Sequence, residues 1–292
     1  MKILIISGGN ASERKISLIS AGEVKKALEK NSHSVAIFDF RKGYPTLKKL
    51  LPKLDIVFPV LHGEEGEGGG LQKFLTQEGK PYVGGNYEGF KEGWYKISFK
   101  KFCDREGITT ASWKEITSEA DIVKFGLPCV VKSSNGGSSL EVFILNDARD
   151  LKNNSFQRLL RSSTPLLAEK LLSGIEITVG VLNNQVLPVI EIVPPEGEWF
   201  DYQNKYSGDT QEIIDAPSLP PTIKRQAQEI ALKIHKKLKL GSLSRTDFIV
   251  VDRIPYALEV NTIPGFTSGS LFPKAAGMSF EQLVEKLIQL TS

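Results

Sequence analysis

At 292 residues the chain can form one large domain or two to three smaller ones, with a core that needs no covalent staples. Its 37 Lys and Arg against 34 Asp and Glu leave a formal charge of +3, too mild for a dedicated nucleic-acid binder. The two cysteines, Cys103 and Cys129, lack CxxC spacing, which excludes a disulfide framework and a zinc finger. No apolar run reaches the roughly 18 residues of a membrane span. The opening MKILIISGGN meets its glycines too soon for a cleavable signal peptide and reads as a first strand. The expectation is a cytoplasmic globular protein with neither membrane nor nucleic acid as partner.

In chain order, residues 2–6, 34–38 and 55–61 read as strands, and 17–28 and 71–75 as helices. Apolar Leu18, Ile19, Ala21, Val24, Ala27 and Leu28 give the first helix its spacing. This rhythm predicts a parallel sheet covered by helices, closing near Asn86. Residues 90–106 then predict one amphipathic helix, with Tyr95, Phe99, Phe102 and Cys103 on one face. Lys96, Lys100 and Lys101 lie away from that face, and Gly107 suits the C-cap. Strands follow at 128–132, 141–145 and 166–170, the first two flanking a Gly/Ser loop and a polar stretch preceding the third. Asn183-Asn184 joins strands 175–182 and 185–193 as a two-residue hairpin turn. The polar and aromatic stretch 195–217 exceeds the usual connection length and reads as a loop covering an active site. Pro220-Pro221 open a helix carrying Ile223, Ala227, Ile230, Ala231, Ile234 and Leu238, stopped by Gly241. A second hairpin, 243–251 with 256–261, and a terminal helix over 280–290 complete the chain.

The second hairpin carries the most informative chemistry. Residues i and i+2 of a strand share a face, so Glu259 and Asn261 do, and a turn near Arg253 sets Asp247 opposite Glu259. Three hard oxygen ligands suit Mg²⁺ bound together with phosphates, and Arg245 faces the same side to meet negative charge. Ordinary cross-strand polar pairs on a solvated face are the competing reading. The loop after Lys132, Ser133 to Ser139, either cradles phosphate with backbone N–H groups or is a flexible surface hairpin; it lacks the Walker A order. His62 follows a buried strand end, where parallel sheets bind ligands, and reads as a general base or as an orienting donor. Glu13 caps the first helix unless a ligand recruits it, and Lys205-Tyr206 taken alone is a solvated pair.

Taken together and in order, GGNASERKISL (8–18), HGEEGEGGGLQ (62–72), PYVGG (81–85), VVKSSNGGSS (130–139), EKLLSGIEITVGVL (169–182), FDYQNKY (200–206), SRTDF (244–248) and EVNTIPGFTSGSLFP (259–273) resemble the D-alanine–D-alanine ligase family of ATP-grasp enzymes, nearly end to end. The resemblance implies an α/β fold in three segments: a parallel N-terminal domain over 1–88 and two α+β lobes, 89–172 and 173–292, clamping ATP. It implies that Lys96 and Lys132 hold the phosphates, that Glu169, Lys170 and Leu172 hold the adenine and Glu176 the ribose, with Ser139 completing the ATP set. Asp247, Glu259 and Asn261 would bind two Mg²⁺ ions, which Mn²⁺ could replace. Glu13, in a set with Ser138 and Tyr206, would take the ammonium of the first D-alanine, with His62 nearby. Ser270, the Leu271 N–H and Lys205 would take the carboxylate of the second, and Arg245 with the Gly265 N–H would form the oxyanion hole. The implied reaction is ligation of two D-alanines through an acyl phosphate, for peptidoglycan synthesis, by an enzyme of a kind that is often homodimeric. Relatives taking D-serine or D-lactate second, and a regulatory ATP-binding protein on the same scaffold, are the alternatives. The chain departs from the family at Glu141, where glycine is usual, at Ser133 for proline, at Gly68 for Asp, and at Gly93-Trp94-Tyr95-Lys96.

Overall fold

The computed structural model describes residues 1–136, 141–195 and 210–291. Its N-terminal sheet is parallel, in the order Ser34–Asp39, Lys2–Ser7, Ile56–Pro59. Strands Lys2–Ser7 and Ile56–Pro59 are apolar on both faces because both are covered, whereas edge strand Ser34–Asp39 leaves Ser34, Ala36 and Ile37 exposed. Leu4, Ile6 and Val57 pack with Leu47, Leu71 and Leu75 on one side. Ile3, Ile5, Ile56 and Phe58 meet helix Arg14–Lys30 and the terminal helix Phe280–Gln289 on the other.

The first helix turns a different face inward from the one its apolar residues suggest. Ser17, Ser20, Ala21, Val24, Ala27 and Leu28 form the buried stripe. Leu18 and Ile19 stay 40% and 43% exposed, about 100° or more around the helix from that stripe. Ser17 is tolerated inside because its hydroxyl donates to the Val60 carbonyl at 2.5 Å and accepts from the Gly8 N–H at 2.9 Å.

The helix expected over 90–106 is two, Tyr87–Trp94 and Lys96–Glu106, broken at an extended Tyr95 (φ −76°, ψ 112°). The break has a cause in its backbone partners: the Lys96 N–H donates to the Ser134 carbonyl at 2.8 Å, and the Ile97 N–H to the Ser134 hydroxyl at 3.3 Å. These bonds replace the ones a continuous helix would make, and they pin the second helix to the end of a strand.

The central sheet is antiparallel, in the order Trp113–Ile116, Leu166–Lys170, Cys129–Ser133, Val142–Leu145. Cys129, Val131, Leu166 and Ala168 face an outer core with Phe156 and Ile122, which come from helices Asn154–Leu160 and Glu119–Phe125. The C-terminal sheet runs Gln211–Ile214, Ile190–Val193, Ile175–Leu182, Leu243–Val251, Ile254–Asn261, with Gln185–Val186 paired to the third. Gln211–Ile214 corrects the loop expected over 195–217, since part of it pairs with Ile190–Val193. Both hairpin turns are left-handed as expected: Asn183 and Asn184 at φ 47° and 61°, Asp252 and Arg253 at 49° and 63°. Helix Pro221–Lys237 stops before Gly241, because Lys239 already adopts φ 52°. Among the described residues no helix is long and apolar enough to cross a membrane.

Candidate active site

Period-two alternation decides which side chains meet between the central and C-terminal sheets. On the central sheet, Val130 pairs with Glu169 and Ile144, and Lys132 with Leu167 and Val142, so these six share the inner face. On the C-terminal sheet, Asp247 lies opposite Glu259 on one side and Thr178 on the other, and Arg245 lies opposite Asn261. The pairing of Asp247 with Glu259 is the one expected from the turn at Arg253. A bulge follows: Phe248 pairs with Ala257, leaving Leu258 the extra residue. Ala257 thereby joins the outer core with Phe248, while consecutive Leu258 and Glu259 both line the cavity between the sheets.

That cavity, about 170 Å³, is a slot between apolar walls of Val130, Val142, Ile144, Leu172, Ile249 and Leu258. Lys96, Lys132, Glu169, Lys170 and Glu176 also line it. Lys132 Nζ lies 2.6 Å from Glu169 Oε2, and Lys100 Nζ lies 2.6 Å from Glu169 Oε1. Burial pushes the Glu169 carboxyl up, but the two lysines outweigh it and hold it down at about 2. Lys132 is likewise lowered by burial and raised by more through Glu169, so it stays protonated. Lys100 corrects the sequence reading: expected on an outward face, it is wholly buried. Glu141 is exposed yet lines the cavity, with Oε2 3.1 Å from where a Cβ on Gly136 would sit.

A second cavity of about 250 Å³ shares Lys96, Gly136 and Glu259 with the first. Around it stand Glu13, His62, Arg245, Asn261, Gly265, Ser270 and Leu271, brought together from the N-terminal sheet, the second hairpin and the loop after it. At the shared wall Lys96 Nζ is 3.5 Å from Glu259 Oε2 and donates to the Gly136 carbonyl at 2.6 Å. Two glycines make the loops around Glu13 and His62 fit. Gly9 is at φ 69°, and a Cβ there would fall 2.3 Å from Glu65 Oε2; Gly63, at φ 78°, would press one 2.6 Å from Ala11 Cβ.

Glu13 is the N-cap residue of helix Arg14–Lys30 but makes no side-chain capping bond. Its buried carboxylate accepts from the Ser12 hydroxyl at 2.6 Å and lines the cavity, so it does not act as the cap expected of it. His62 is buried, and its Nε2 has no hydrogen-bond partner among the described residues. Burial lowers its imidazolium pKa to about 4, with Glu13 opposing and Arg245 assisting, so the ring is neutral near pH 7. Such a ring is a weak base at that pH, which favours the orienting role over the general base. Glu67, which the sequence reading passed over, lies 4.0 Å from His62 Nδ1 and accepts from the Gly63 N–H at 3.0 Å. Burial pushes Glu67 up to about 8, against hydrogen bonds from the Gly63 and Ile263 backbone and with Glu13 and Glu259 adding to the rise.

Asp247 is the best-held carboxylate of the hairpin. Arg245 grips it bidentately through Nε and Nη2, both at 2.9 Å. Asn261 Nδ2 donates at 2.9 Å and the Thr178 hydroxyl at 2.5 Å. Among the described residues no group of three His, Cys, Asp or Glu gathers closely enough to bind a metal alone. Two carboxylates and an amide are nonetheless a fitting donor set for Mg²⁺, which takes one or two carboxylates and completes its shell with phosphate oxygens and water. Ser270 Oγ accepts from the Thr267 N–H at 3.1 Å, and Leu271 opens helix Leu271–Ala275, where an N–H has no intrahelical partner. Ser138, Ser139, Lys205 and Tyr206 lie outside the described residues.

Two antiparallel sheets closing on an apolar slot, with lysines and carboxylates set along it, define a nucleotide clamp, and its neighbouring polar cavity is suited to a small zwitterion. Residues 99–289 match the family described as D-ala D-ala ligase C-terminus. The chain is 38% identical to the D-alanine–D-alanine ligase of Maridesulfovibrio salexigens, over 99% of this chain and 98% of that one. It is 37% identical to the ligase of Lawsonia intracellularis at the same coverage, 99% and 98%. Among solved structures, the D-alanine–D-alanine ligase from Bacillus anthracis complexed with ATP superposes with a TM-score of 0.86 at 31% identity, covering 100% of this chain and 97% of that one. The VanG D-Ala:D-Ser ligase from Enterococcus faecalis gives 0.82 at 27%, covering 100% and 99%. The chain belongs to the D-alanine–D-alanine ligase family and has its ATP-grasp fold.

Proposed function

We propose that this chain joins two D-alanines to D-alanyl-D-alanine, driven by cleavage of ATP to ADP and phosphate, as a cytoplasmic step in peptidoglycan precursor synthesis. The observation that carries the reading is the wall common to both cavities: Lys96, Gly136 and Glu259 border the nucleotide slot and the zwitterion site alike. A γ-phosphate at the mouth of one therefore reaches a carboxylate held in the other.

In this reading the slot takes adenine along 169–172 and ribose at Glu176, with Lys96 and Lys132 on the phosphates and Ser139 beside them. Glu13, with Ser138 and Tyr206, receives the first ammonium, and His62 orients that substrate. The first carboxylate oxygen attacks the γ-phosphorus, ADP leaves, and an acyl phosphate forms. Positioning and charge neutralisation suffice for this transfer, and no nucleophilic side chain is needed. The second D-alanine, its carboxylate on Ser270, the Leu271 N–H and Lys205, presents its amine to the acyl carbon. The amine nitrogen bonds to that carbon, the tetrahedral oxyanion rests against Arg245 and the Gly265 N–H, and the C–O bond breaks as phosphate departs, taking up the proton the amine loses. Asp247, Glu259 and Asn261 would hold Mg²⁺, two ions or their Mn²⁺ replacements, which neutralise triphosphate charge when bound. Segments 1–88, 89–172 and 173–292 are the functional units of this scheme, and a homodimer is its assembly.

The test is phosphate release from Mg-ATP with D-alanine, L-alanine, D-serine or D-lactate added, and mass spectrometry of the products. D-Alanine-dependent release with D-alanyl-D-alanine formed is the expected result. ATP binding without D-alanine-dependent release would overturn it in favour of a regulatory scaffold, and a mixed product with D-serine or D-lactate would reassign the second site.

A further inference from the structure

The nucleotide slot holds one carboxylate between two lysines, and only one of these lysines can leave. Lys132 opens on the cavity, with its side chain 14% exposed, and in the proposed reaction it turns to the phosphates. Lys100 cannot follow. It is 0% exposed, and its Nζ lies 2.6 Å from Glu169 Oε1 and 2.5 Å from Thr110 Oγ1. The Thr110 hydroxyl donates to the Ala257 carbonyl at 2.6 Å, so it can only accept from the ammonium. Lys100 is thus fixed from helix Lys96–Glu106, strand Leu166–Lys170, the residue Thr110 and strand Ile254–Asn261 at once. A wholly buried lysine at no distance to touch a ligand must act through its partner.

We infer that Lys100 is a positioning residue for nucleobase choice: it keeps Glu169 an ionised, acceptor-only carboxylate after Lys132 turns to the phosphates, so the slot accepts a base bearing an amino group and rejects one bearing a carbonyl there. This rests on the proposed placing of the base along 169–172. An ionised carboxylate accepts from the N6 amino group of adenine and meets the O6 acceptor of guanine with repulsion; a protonated one could donate to O6. The other titratable groups bearing on this pair do not replace Lys100. Cys103, also on helix Lys96–Glu106, has its thiol pushed up to about 12 by burial and stays neutral, and Glu176 and Glu259 act on Lys132 by adding negative charge.

The experiment measures equilibrium binding of ATP and of GTP, and KM and kcat for ATP, from about pH 5 to 9 on the full chain and on Lys100→Met, Lys100→Arg and Thr110→Val. Lys100→Met is expected to raise the ATP KM about tenfold with little change in kcat, and to narrow the ATP:GTP ratio by a similar factor. With Lys100 gone the Glu169 carboxyl titrates higher, so ATP binding fails at a higher pH on the acid side. Lys100→Arg restores much of the ratio. Thr110→Val, which keeps the charge and loosens its tether, shifts the same readouts by about threefold and serves if Lys100→Met does not fold. A folded variant with lowered thermal stability but an unchanged ATP:GTP ratio and acid limb overturns the inference, because a merely structural lysine would behave so. Failure of the unaltered chain to bind ATP would instead strike the ATP-driven ligation on which the inference rests.

Discussion

In the nucleotide slot one carboxylate is matched twice over: Glu169 sits between Lys100 and Lys132 at 2.6 Å from each and is held ionised. Across the shared wall, the larger cavity gathers Glu13, Glu67 and Glu259 around a neutral His62, and burial raises Glu67 to about 8. One chamber holds two lysines on a carboxylate, and in the proposed scheme one of them turns to an incoming polyanion. The other has Lys96 and Arg245 at its wall, engaged with Glu259 and Asp247, and in the proposed scheme it receives an incoming ammonium at Glu13. The contrast follows from ligand charge. A site for a triphosphate must offer positive charge and stay stable when empty, whereas a site for an amino acid needs a carboxylate that can face its ammonium.

Variants on the two sides should therefore separate kinetically, and the largest effect is expected where the chambers meet. Glu259→Gln, which neutralises a shared wall, should lower kcat/KM by about three orders of magnitude and raise the Mg²⁺ needed for activity, as steady-state rates at varied metal will read. Arg245→Ala should cost about 10²–10³ in kcat while leaving ATP binding within a few-fold, since the oxyanion exists only on the reaction path. Rapid-quench measurement of the chemical step distinguishes this from a binding loss. Glu13→Gln should raise the D-alanine KM about thirtyfold, near 2 kcal/mol for a lost charge-assisted bond, with the ATP KM unmoved. Equal effects on both KM values would break the contrast.

Glu67 supplies a pH signature. Its folded value, about 8, lies above its ordinary 4.5, so the unliganded fold binds a proton that the unfolded chain has lost between these values. Its contribution is fully present below about pH 4.5 and is lost as pH rises toward 8. Thermal melts from pH 5 to 8 should show Glu67→Gln gaining on the unaltered chain as pH rises; parallel curves would mean that Glu67 ionises normally. The smallest effect is expected at Glu141, exposed on the rim of the slot. Glu141→Gly should tighten ATP binding about two- to threefold by removing like charge from beside the triphosphate, as calorimetry would register.

Much of this contrast was legible in the residues, and the parts that were not share a reason. The second hairpin could be registered from its turn alone, because Asp252-Arg253 fixes which strand residues face each other, and Asp247 does pair with Glu259. The bulge at Leu258 was invisible, since an extra residue changes no period until both faces are seen. Lys100 read as solvated because a lysine among lysines on an amphipathic helix normally is; its partner Glu169 is 69 positions away by number and unrelated by pattern. Tyr95 broke the helix for bonds to Ser134, and Glu67 was passed over beside the more conspicuous His62. Local pattern carried the elements and the cross-strand pairs, while long-range charge pairing and backbone capture by distant segments needed coordinates. Strand Trp113–Ile116 and helix Glu119–Phe125, at 4 and 7 residues, were too short to show a period.

The central claim is that a carboxylate in the larger cavity meets the γ-phosphate of a nucleotide in the slot. It is tested most directly by supplying D-alanine labelled with ¹⁸O in its carboxylate and following the label by mass spectrometry. Transfer of one ¹⁸O into the released phosphate per dipeptide formed is the expected result, because the oxygen that attacks phosphorus leaves with it. Unlabelled phosphate would mean that the γ-phosphoryl group passed to water or to another acceptor, and that the wall shared by Lys96, Gly136 and Glu259 does not join the two chambers.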